Sequence, residues 1–465
     1  MEKYDVVVIG AGPGGYVAAI RAAQNGLKTA IVEKQWMGGV CLNVGCIPSK
    51  ALLKNASVAS TLRTGGKEFG FSVDNLNLDY SVAVKRSRKV SARLVKGIGF
   101  LMKKNNIDTI MGEAVFKSAN AIEVTAEDGS PQTVEAKNFI IATGAHSLVL
   151  PWMGMDGEKV VTYTEAILQE KLPASAIIIG GGAIGCEFAT IWSSYGSEVT
   201  IVEMLPTILP TEDKDASNEL AKHFKKAKIN VKAGHRVEKI EKTETGVAVT
   251  VSSDKGEEVL EAEQALVAIG FRPNTEGIGL DAAGVKLNQR GFIATDETMK
   301  TSTKNIYAIG DVTGNLLLAH AASAMGILAA DAIAGKKTKA INFRNIPRAT
   351  YSHPQVASFG MNEEEAVEAG LEIKVGKFNF MANGKALGLG EGAGWVKLIV
   401  DAKLGEVLGA AIVGPEASEL LPELVLANSA ELTIEEIANT VHAHPTLSEA
   451  IMEAAHDAMG HAIHS

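Results

Sequence analysis

Short runs of β-branched and other apolar residues alternate with glycine clusters and with longer segments of mixed polarity through most of the chain. One run covers Val6 to Ile9, a similar one ends the segment 174–179, and each leads directly into a glycine cluster. An apolar run of this length, followed by glycines and then by helical periodicity, is typical of a buried strand, a tight turn and a helix. Strands and helices that alternate in this way predict an α/β protein with parallel sheets.

The two glycine clusters belong to an internal repeat. Each copy carries the motif G-x-G-x-x-G directly after its strand, and the copies are offset by 170 residues. The offset persists along the chain, since Gly26 is matched by Gly196 and Glu33 by Glu203. The repeat therefore predicts two similar βαβ units in one chain.

The glycines of this motif have separate physical roles in a dinucleotide-binding turn. The first makes the tight turn, the second lets backbone N–H groups approach a pyrophosphate, and the third allows the helix to pack closely on the strand. They are Gly10, Gly12 and Gly15 in the first copy and Gly180, Gly182 and Gly185 in the second. The simpler alternative is a glycine-rich turn that binds no ligand.

An acidic residue ends the second strand of each unit, about 20 residues after the motif. Glu33 and Glu203 stand where a carboxylate accepts hydrogen bonds from ribose hydroxyls. No arginine follows Glu203 in the segment 204–206, so a 2′-phosphate would not be neutralised and the second site should prefer NAD to NADP. The alternative is a solvated carboxylate at a strand end.

The pattern changes near residue 346. Apolar runs at residues 374–380, 395–400 and 407–413 predict strands, and helical stretches follow from Glu416, Thr433 and Ser448. This arrangement predicts a separate α+β domain, in which the glycine-rich segment 384–394 is a hairpin connection. The predicted fold is α/β, with two Rossmann-like dinucleotide-binding domains and a C-terminal α+β domain. The predicted segments are 1–145, 146–271, 272–345 and 346–465.

Composition excludes several classes of protein. The 465 residues include 47 glycines but only three cysteines, which argues against a disordered chain or a secreted disulfide scaffold. A formal net charge of −9 argues against a nucleic-acid partner. No apolar stretch is long enough to span a bilayer or to form a signal sequence, so a cytoplasmic location is expected.

Two of the cysteines follow the first unit closely. Cys41 and Cys46 are five residues apart, which in a regular helix is beyond comfortable disulfide reach. A bond between them needs a distorted turn, and strained disulfides are the reducible, catalytic ones. Two buried, unpaired thiols are the alternative. Zinc is less favoured, because no second Cys or His pair stands nearby at ligand spacing, and no metal site is expected.

The chemistry of this pair restricts the cofactors. A disulfide reacts through thiolates and a nicotinamide carries hydride, and a flavin can exchange electrons with both. The G-x-G-x-x-G motif next to the cysteines is then the FAD site, and the second copy of the motif is the NAD site. Thiol exchange also needs a base, and His444, followed by Pro445 and by Glu449 five residues on, is the best candidate. The alternative is that Thr446 and Glu449 form a capping box for a helix near Ser448.

These motifs together resemble the class I pyridine nucleotide–disulfide oxidoreductases over essentially the whole chain. Within that family the resemblance is to the enzymes that oxidise dihydrolipoyl groups. It is carried by residues 10–15, 38–50, 180–187 and 442–449, and by two strand ends at residues 142–144 and 310–311 that alone could be ordinary.

The resemblance implies a role for particular residues. Cys46 interacts with the flavin, Cys41 exchanges with substrate, and His444 is the base that Glu449 orients. Lys50 and Glu187 pair beside the flavin, Asp311 contacts its ribityl chain, and a helix that starts near His320 points its N-terminus at the flavin. Further FAD contacts are Gly14, Ala114, Thr143, Gly144 and Ala319, and further NAD contacts are Ile184, Glu187, Val237 and Gly270.

The resemblance also implies an activity and partners. Protein-bound dihydrolipoyl groups are oxidised to the lipoyl disulfide through Cys41–Cys46 and FAD, and NAD⁺ is reduced to NADH. The chain is expected to form a homodimer in which His444 reaches the cysteines of the other subunit, with the C-terminal domain as the interface. Lipoylated carriers of 2-oxo acid dehydrogenase or glycine cleavage complexes are the expected partners.

Three alternatives carry less support. Mercuric reductases have a C-terminal cysteine pair, whereas this sequence has no cysteine after Cys186. Glutathione reductases generally use NADPH, which Glu203 without a neighbouring arginine disfavours. A purely structural docking subunit would not need the cysteine pair, the base and both copies of the motif.

Overall fold

The computed structural model describes residues 3–464, and its strands follow the predicted apolar runs. The strands are β1 Lys3–Ile9, β2 Thr29–Glu33, β3 Asp108–Met111, β4 Glu113–Ser118, β5 Ala121–Thr125, β6 Pro131–Ile141, β7 Ala145–Ser147, β8 Val160–Val161, β9 Ser175–Ile179, β10 Glu198–Glu203, β11 Asn230–Ala233, β12 Arg236–Lys242, β13 Val247–Ser253, β14 Gly256–Ala262, β15 Gln264–Val267, β16 Phe271–Pro273, β17 Ile306–Ala308, β18 Arg348–Thr350, β19 Gln355–Gly360, β20 Ile373–Asn379, β21 Trp395–Asp401 and β22 Val407–Gly414.

Helices alternate with these strands in the first part of the chain and cluster after them at the end. The α-helices are α1 Pro13–Gln24, α2 Gly39–Asn43, α3 Cys46–Thr64, α4 Gly66–Phe69, α5 Tyr80–Lys104, α6 Tyr163–Leu168, α7 Ala183–Tyr195, α8 Lys214–Lys226, α9 Ala319–Ile333, α10 Glu363–Glu368, α11 Gly384–Gly388, α12 Ala417–Ser429, α13 Ile434–Asn439 and α14 Glu449–Ala458. Short 3₁₀ helices cover Pro151–Met153, Gly310–Thr313, Phe343–Asn345 and Phe380–Ala382.

The described residues divide into two compact units. One comprises residues 3–51, 84–148 and 270–343, and the other comprises residues 52–83, 149–269 and 344–464. The boundaries at residues 51/52 and 83/84 fall within α3 and α5, so each of these helices contributes residues to both units. The four-part division expected from the sequence stays a prediction.

The first unit contains a seven-stranded sheet. Its order is β3-β2-β1-β6-β5-β4, and β17 also pairs with β6. The strands β3, β2, β1, β6 and β17 are parallel, whereas β5 and β4 are antiparallel additions. Val6, Val7 and Val8 of β1 are fully buried, as expected for a parallel strand covered on both faces, and this burial is why β1 appears in the sequence as a continuous apolar run.

The second unit contains a parallel sheet of order β11-β10-β9-β15-β8. In each sheet the first strand of the repeat pairs with the second strand of its unit on one side and with a later strand on the other. The internal repeat therefore extends from the sequence motif to the order of the strands. A three-stranded antiparallel sheet, β12-β13-β14, packs on the same core through Val247, Val249 and Val251.

The C-terminal part of the second unit is an antiparallel sheet of order β18-β19-β22-β21-β20 with helices α12, α13 and α14 packed against it. The hairpin connection expected at residues 384–394 joins the antiparallel strands β20 and β21 and includes the short helix α11. The expected strands and the helices that start near Glu416, Thr433 and Ser448 are all present. The predicted fold class is confirmed.

Candidate active site

The first glycine turn joins β1 to α1 and admits no side chain at two of its positions. Gly10 has a φ of +102°, and a Cβ there would lie 2.3 Å from the carbonyl oxygen of Ala142. A Cβ at Gly15 would lie 1.9 Å from the carbonyl oxygen of Gly10. At Gly12, by contrast, no atom of the described residues lies within 4 Å of the Cβ position. Backbone atoms therefore fill the space beside the first and third glycines, whereas the space beside the second glycine is free.

The second turn repeats this geometry between β9 and α7. Gly180 has a φ of +110°, and its Cβ would lie 2.3 Å from the carbonyl oxygen of Ala268. A Cβ at Gly185 would lie 2.0 Å from the carbonyl oxygen of Gly180, and Gly182 is open in the same way as Gly12. The predicted roles of the three glycines are thus consistent with both turns.

Each turn is held by the acidic residue of its second strand. Oε2 of Glu33 accepts from the N–H of Ala11 at 2.7 Å, and Oε2 of Glu203 accepts from the N–H of Gly181 at 2.7 Å. Oε1 of Glu203 also accepts from the N–H of Leu205 at 2.8 Å. The carboxylates are therefore fixed parts of the turns, and each keeps lone pairs that ribose hydroxyls can use.

The two turns fit the dinucleotides that the family would place there. Among the described residues no side chain caps the N-terminus of α1 or of α7, so the first N–H groups of both helices stay available for a pyrophosphate. The open space at Gly12 and Gly182 is the position from which backbone approaches phosphate most closely. Each turn therefore offers a positive helix end and an open glycine for the pyrophosphate, and a fixed carboxylate for the ribose hydroxyls of a dinucleotide.

The cysteine pair lies at a break between two helices, as the sequence predicted. Helix α2 ends at Asn43, α3 begins at Cys46, and Gly45 lies between them. Cys41 is half-buried and Cys46 is exposed. The pKa of Cys41 is raised, first by its hydrogen bond with the Cys46 thiol and then by burial, while the charge of Lys50 acts to lower it. The two sulfurs are therefore neighbours, and Cys46 is exposed rather than buried.

The cysteines also lie close to the first dinucleotide turn. A Cβ at Gly39, the first residue of α2, would lie 2.6 Å from Cα of Gly12. The backbone at the start of α2 therefore contacts Gly12, the second glycine of the turn. A dinucleotide bound at the first turn lies beside the helix that carries Cys41.

The remaining residues expected around the flavin occupy both units. Lys50 lies one turn after Cys46 on α3, and Oε1 of Glu187 accepts from the N–H of Tyr351 at 3.1 Å. The pairing of Lys50 with Glu187 stays a prediction. The Thr143 hydroxyl donates to the carbonyl of Asn274 at 2.8 Å, and the Asn274 amide donates back to the carbonyl of Thr143 at 2.8 Å. This reciprocal pair fixes the strand end that leads to Gly144.

Asp311 and Ala319 lie near the starts of the two helical elements that follow β17, a short 3₁₀ helix and α9. Asp311 lies in the 3₁₀ helix Gly310–Thr313, and burial raises the pKa of its carboxyl to about 6. Ala319 is the first residue of α9, so the helix begins where the sequence placed it, next to His320. Gly14 packs on α9, because a Cβ there would lie 2.9 Å from the carbonyl oxygen of Ala322. The other expected FAD contact, Ala114, is buried in β4.

The further positions expected around NAD belong to the second unit or to its boundary. Ile184 lies in the first turn of α7 and Val237 lies in β12. Gly270 directly precedes β16 and has a φ of +126°. Their roles stay predictions.

The candidate base and its carboxylate are in contact. Nδ1 of His444 lies 2.9 Å from Oε1 of Glu449, the first residue of α14, and the His444 side chain is 78% exposed. Oε2 of Glu449 accepts from the N–H of Thr446 at 2.8 Å. The expected capping box is not formed, because the Thr446 hydroxyl donates to the carbonyl of Ala443 and the residue before α14, Ser448, makes no side-chain capping hydrogen bond. Glu449 therefore orients the histidine and also accepts from the backbone before the helix. With Nδ1 engaged, Nε2 is the nitrogen that can exchange a proton.

The environment keeps Glu449 ionised. Burial acts to raise the pKa of Glu449, but the N–H of Thr446 and the hydrogen bond with His444 outweigh it, so the pKa is lowered. An ionised Glu449 stabilises the protonated form of His444 by its negative charge.

Two neighbours of these groups were not predicted from the sequence. Tyr16 on α1 lies near Cys41, and its pKa is raised by burial and by the charge of Cys41. His442 pairs with Glu423 on α12 at 2.9 Å. His442 is visible in the motif as a second histidine, but its partner is 19 residues away on another helix and no spacing rule connects them.

Two dinucleotide turns and a thiol pair define a nucleotide-dependent dithiol–disulfide oxidoreductase. Residues 4–326 match the family model described as pyridine nucleotide-disulphide oxidoreductase, and residues 346–455 match that family's dimerisation domain. The chain belongs to the pyridine nucleotide-disulphide oxidoreductase family. The predicted family and enzyme class are confirmed, as are the cofactors, FAD and NAD. The dimerisation domain supports the expected homodimer.

Similar proteins cover the whole chain. A dihydrolipoyl dehydrogenase from Mycobacterium bovis is 51% identical over 464 residues, covering 100% of both chains. One from Corynebacterium glutamicum is 50% identical over 469 residues, covering 99% of both. The solved structure of LpdA from Mycobacterium tuberculosis has a TM-score of 0.90 at 28% identity and covers 98% of this chain and 99% of that one.

A second solved structure belongs to a reductase. The Cu(II) complex of the HOCl-induced flavoprotein disulfide reductase RclA from Escherichia coli has a TM-score of 0.87 at 28% identity, covering 98% of this chain and 99% of that one.

In the part of the chain that the structure describes, no helix combines the length and the apolar character that a membrane span requires.

Proposed function

We propose that this chain is a dihydrolipoyl dehydrogenase, which oxidises protein-bound dihydrolipoyl groups to the lipoyl disulfide and reduces NAD⁺ to NADH. The observation that carries the proposal is the contact between the Cys41 and Cys46 thiols next to the open turn at Gly12. The names of relatives about half identical over the whole chain support the dithiol substrate.

FAD supplies the link between the two half-reactions, because it takes two electrons from a dithiol and gives them to NAD⁺ as hydride. The first turn, with Gly12 and Glu33, would hold FAD, and the second turn, with Gly182 and Glu203, would hold NAD. Asp311 would accept hydrogen bonds from hydroxyl groups of FAD, and the N-terminus of α9 at Ala319 would provide positive potential for the flavin.

The cysteines carry out the exchange with substrate. In the oxidised enzyme one thiolate of the dihydrolipoyl group attacks Sγ of Cys41, and the Cys41–Cys46 bond breaks with its electron pair on Cys46. The second substrate sulfur then attacks the substrate sulfur of the mixed disulfide, and the bond to Cys41 breaks with its electron pair on Cys41, to which the second thiol proton passes. The lipoyl ring leaves, and Cys41 and Cys46 are reduced.

His444 moves the protons of this exchange. Its Nε2 takes the proton from the attacking substrate thiol, because only a thiolate is nucleophilic enough to open a disulfide. Glu449 holds the ring through Nδ1 and stabilises its charged form. Lys50 favours the thiolate of Cys41, since its positive charge acts to lower the pKa of that thiol.

The partners follow from the substrate. The lipoylated carrier proteins of 2-oxo acid dehydrogenase or glycine cleavage complexes would present the dithiol. In the proposed homodimer, His444 of one subunit serves the cysteines of the other. The cytoplasmic location belongs to the proposal and is supported by the low cysteine content.

Replacement of each cysteine tests the proposal. Cys41→Ser and Cys46→Ser should each abolish NADH formation from dihydrolipoamide, because neither variant can form the disulfide, while both should retain bound FAD. Cys186→Ala is the matched control, since the Cys186 side chain is fully buried in α7 and its substitution leaves the pair intact. Turnover retained by either serine variant would contradict the proposal.

A further inference from the structure

A second histidine–carboxylate pair lies two residues before His444. The side chain of His442 is only 6% exposed, and its Nε2 lies 2.9 Å from Oε1 of Glu423 on α12. Its Nδ1 lies 2.8 Å from the carbonyl oxygen of Thr440. Both ring nitrogens are therefore engaged, unlike those of His444, whose side chain is exposed.

The partners of His442 fix its protons. A carbonyl oxygen only accepts hydrogen bonds, so Nδ1 carries a proton that it donates to Thr440. Its Nε2 is held in the same way by the Glu423 carboxyl. Both ring nitrogens are engaged by partners within the protein, so neither is available to exchange a proton with substrate.

The backbone around His444 is held by side chains on both sides. Residues 440–448 are all described and belong to no helix or strand; they connect α13 to α14. On the C-terminal side of His444 the segment is tied by the Asn383 amide, which donates to the carbonyl of Thr446 at 3.0 Å, and by Glu449. On the N-terminal side the Thr440 hydroxyl donates to a carbonyl of α13, and His442 joins the segment to Glu423 on α12.

His442 also acts electrostatically on Glu449. It is one of the groups that outweigh burial and lower the pKa of Glu449, after the N–H of Thr446 and His444. Glu449 is the carboxylate that orients His444, so His442 acts on the base both through the backbone and through this interaction.

We infer that His442 and Glu423 are positioning residues for the reaction, and that they fix the segment from which His444 reaches the substrate thiol. The inference rests on the proposed role of His444 as the base. His442 does not touch substrate, and its effect is transmitted through His444. A displacement of about 1 Å at a reacting group can lower a rate by ~100-fold, so the loss of a positioning contact is measurable as a fall in kcat.

The test compares two activities of the FAD-containing enzyme. One is NADH formation from dihydrolipoamide and NAD⁺, which needs the base. The other is the oxidation of NADH by ferricyanide, which needs FAD and the NAD site but no thiol deprotonation. His442→Ala should lower kcat of the first by about tenfold and leave the second unchanged. His442→Gln, which keeps a donor near the position of Nε2, should recover part of the loss, and Glu423→Gln should lower kcat in the same direction.

Two controls separate positioning from a general structural effect. Glu419→Gln alters an exposed carboxylate one turn earlier on the same helix as Glu423 and should change neither activity. In a His444→Gln background, His442→Ala should lower turnover by less than about twofold further, because a residue that acts through His444 has no effect when His444 is absent.

The outcomes that overturn the inference are distinct from failure of the proposed function. If His444→Gln leaves dihydrolipoamide turnover unchanged, the proposed base is wrong. If His444→Gln lowers turnover but His442→Ala behaves as Glu419→Gln does, only the positioning role is wrong. A His442→Ala variant that loses both activities in parallel also overturns it, because such a loss is structural.

Discussion

Among single residues, Asp311 is the site carboxyl whose ionisation the fold opposes. Burial raises its pKa from an ordinary value of 3.8 to about 6. Its folded pKa exceeds its unfolded one, so this group stabilises the fold fully below about pH 4, and that contribution is lost as the pH rises through 6. By linkage the loss amounts to roughly 3 kcal/mol.

We therefore expect Asp311→Asn to stabilise the FAD-free protein relative to wild type at about pH 7 but not at about pH 4, because an amide has no charge to bury. The thermal unfolding midpoint of the two FAD-free proteins across this range checks the prediction. A difference between the proteins that does not vary with pH would show that Asp311 ionises normally. FAD should remove much of the difference, since its hydroxyl groups would solvate the wild-type carboxylate.

The two open glycines allow binding to be separated from folding. Gly182→Ala should raise KM for NAD⁺ by about tenfold, equivalent to about 1.4 kcal/mol, because the new methyl group occupies the space that phosphate would approach. The thermal midpoint and the FAD content should not change, since no atom of the described residues lies within 4 Å of the new Cβ.

Gly185→Ala is the contrasting variant for this prediction. Its Cβ would lie 2.0 Å from the carbonyl oxygen of Gly180, so the turn must distort and the protein should lose stability. If Gly182→Ala destabilises the protein as much as Gly185→Ala does, the turn is closed at Gly182 and the proposed phosphate position is wrong.

The local geometry of the candidate site could be predicted from the sequence where it depends on short spacing. The glycines, Glu33, Glu203 and the cysteine pair follow from spacing, because a strand, a turn and a helix bring them together over about 30 residues. The Thr143–Asn274 and His442–Glu423 contacts were not predicted, since their partners come from distant segments whose approach depends on tertiary packing.

At the scale of elements, the N-terminus of α8 is joined to the C-terminal sheet by a buried ion pair. Asp213 caps α8 by accepting from the N–H of Asp215 at 2.9 Å, and its other oxygen lies 3.0 Å from Nζ of Lys397 on β21. The side chains of Lys397 and Asp213 are only 4% and 5% exposed. Asp215 and Glu363 also lie within 3.2 Å of Nζ, so the ammonium group is surrounded by carboxylates.

Lys397→Met should destabilise the protein by about 3–5 kcal/mol, because it leaves the Asp213 carboxylate buried without a counter-charge. The shift of the urea unfolding midpoint measures this loss. Lys397→Met combined with Asp213→Asn should lose less than the single variant, since the uncompensated charge is then removed. A single variant as stable as wild type would show that the pair is solvated in solution.

The elements themselves were predictable to different degrees. Continuous apolar runs identified β1, β9, β21 and β22, because strands buried on both faces leave no polar alternation. The short helix α11 inside the expected hairpin connection was missed, since five residues with two glycines carry too little helical periodicity. The edge strand β18 was also missed because it has only three residues.

At the scale of the whole molecule, the proposed homodimer would bring His444 of each subunit to Cys41 and Cys46 of the other. Two inactive variants should then complement each other in a mixed dimer. A heterodimer of Cys46→Ser and His444→Gln subunits has one site with both changes and one with neither. Such a heterodimer, purified with two different tags, should recover about half of the wild-type turnover, because one of its two sites is intact.

An inactive heterodimer would contradict the shared site, since both changes would then fall in separate, self-contained sites. The two homodimers carried through the same purification are the controls, and neither should be active. The dimerisation domain matched at residues 346–455 contains both His444 and Glu449, which is consistent with a base carried by the interface region.

The central claim is that electrons pass from a dihydrolipoyl dithiol through Cys41 and Cys46 to FAD and then to NAD⁺. It is tested most directly by an anaerobic titration of the purified enzyme with dihydrolipoamide, followed by addition of NAD⁺. We expect the visible absorbance of bound flavin to change on addition of the dithiol and NADH to form when NAD⁺ follows. A flavin that dihydrolipoamide leaves unchanged but NADPH reduces would contradict the account and indicate a different disulfide substrate.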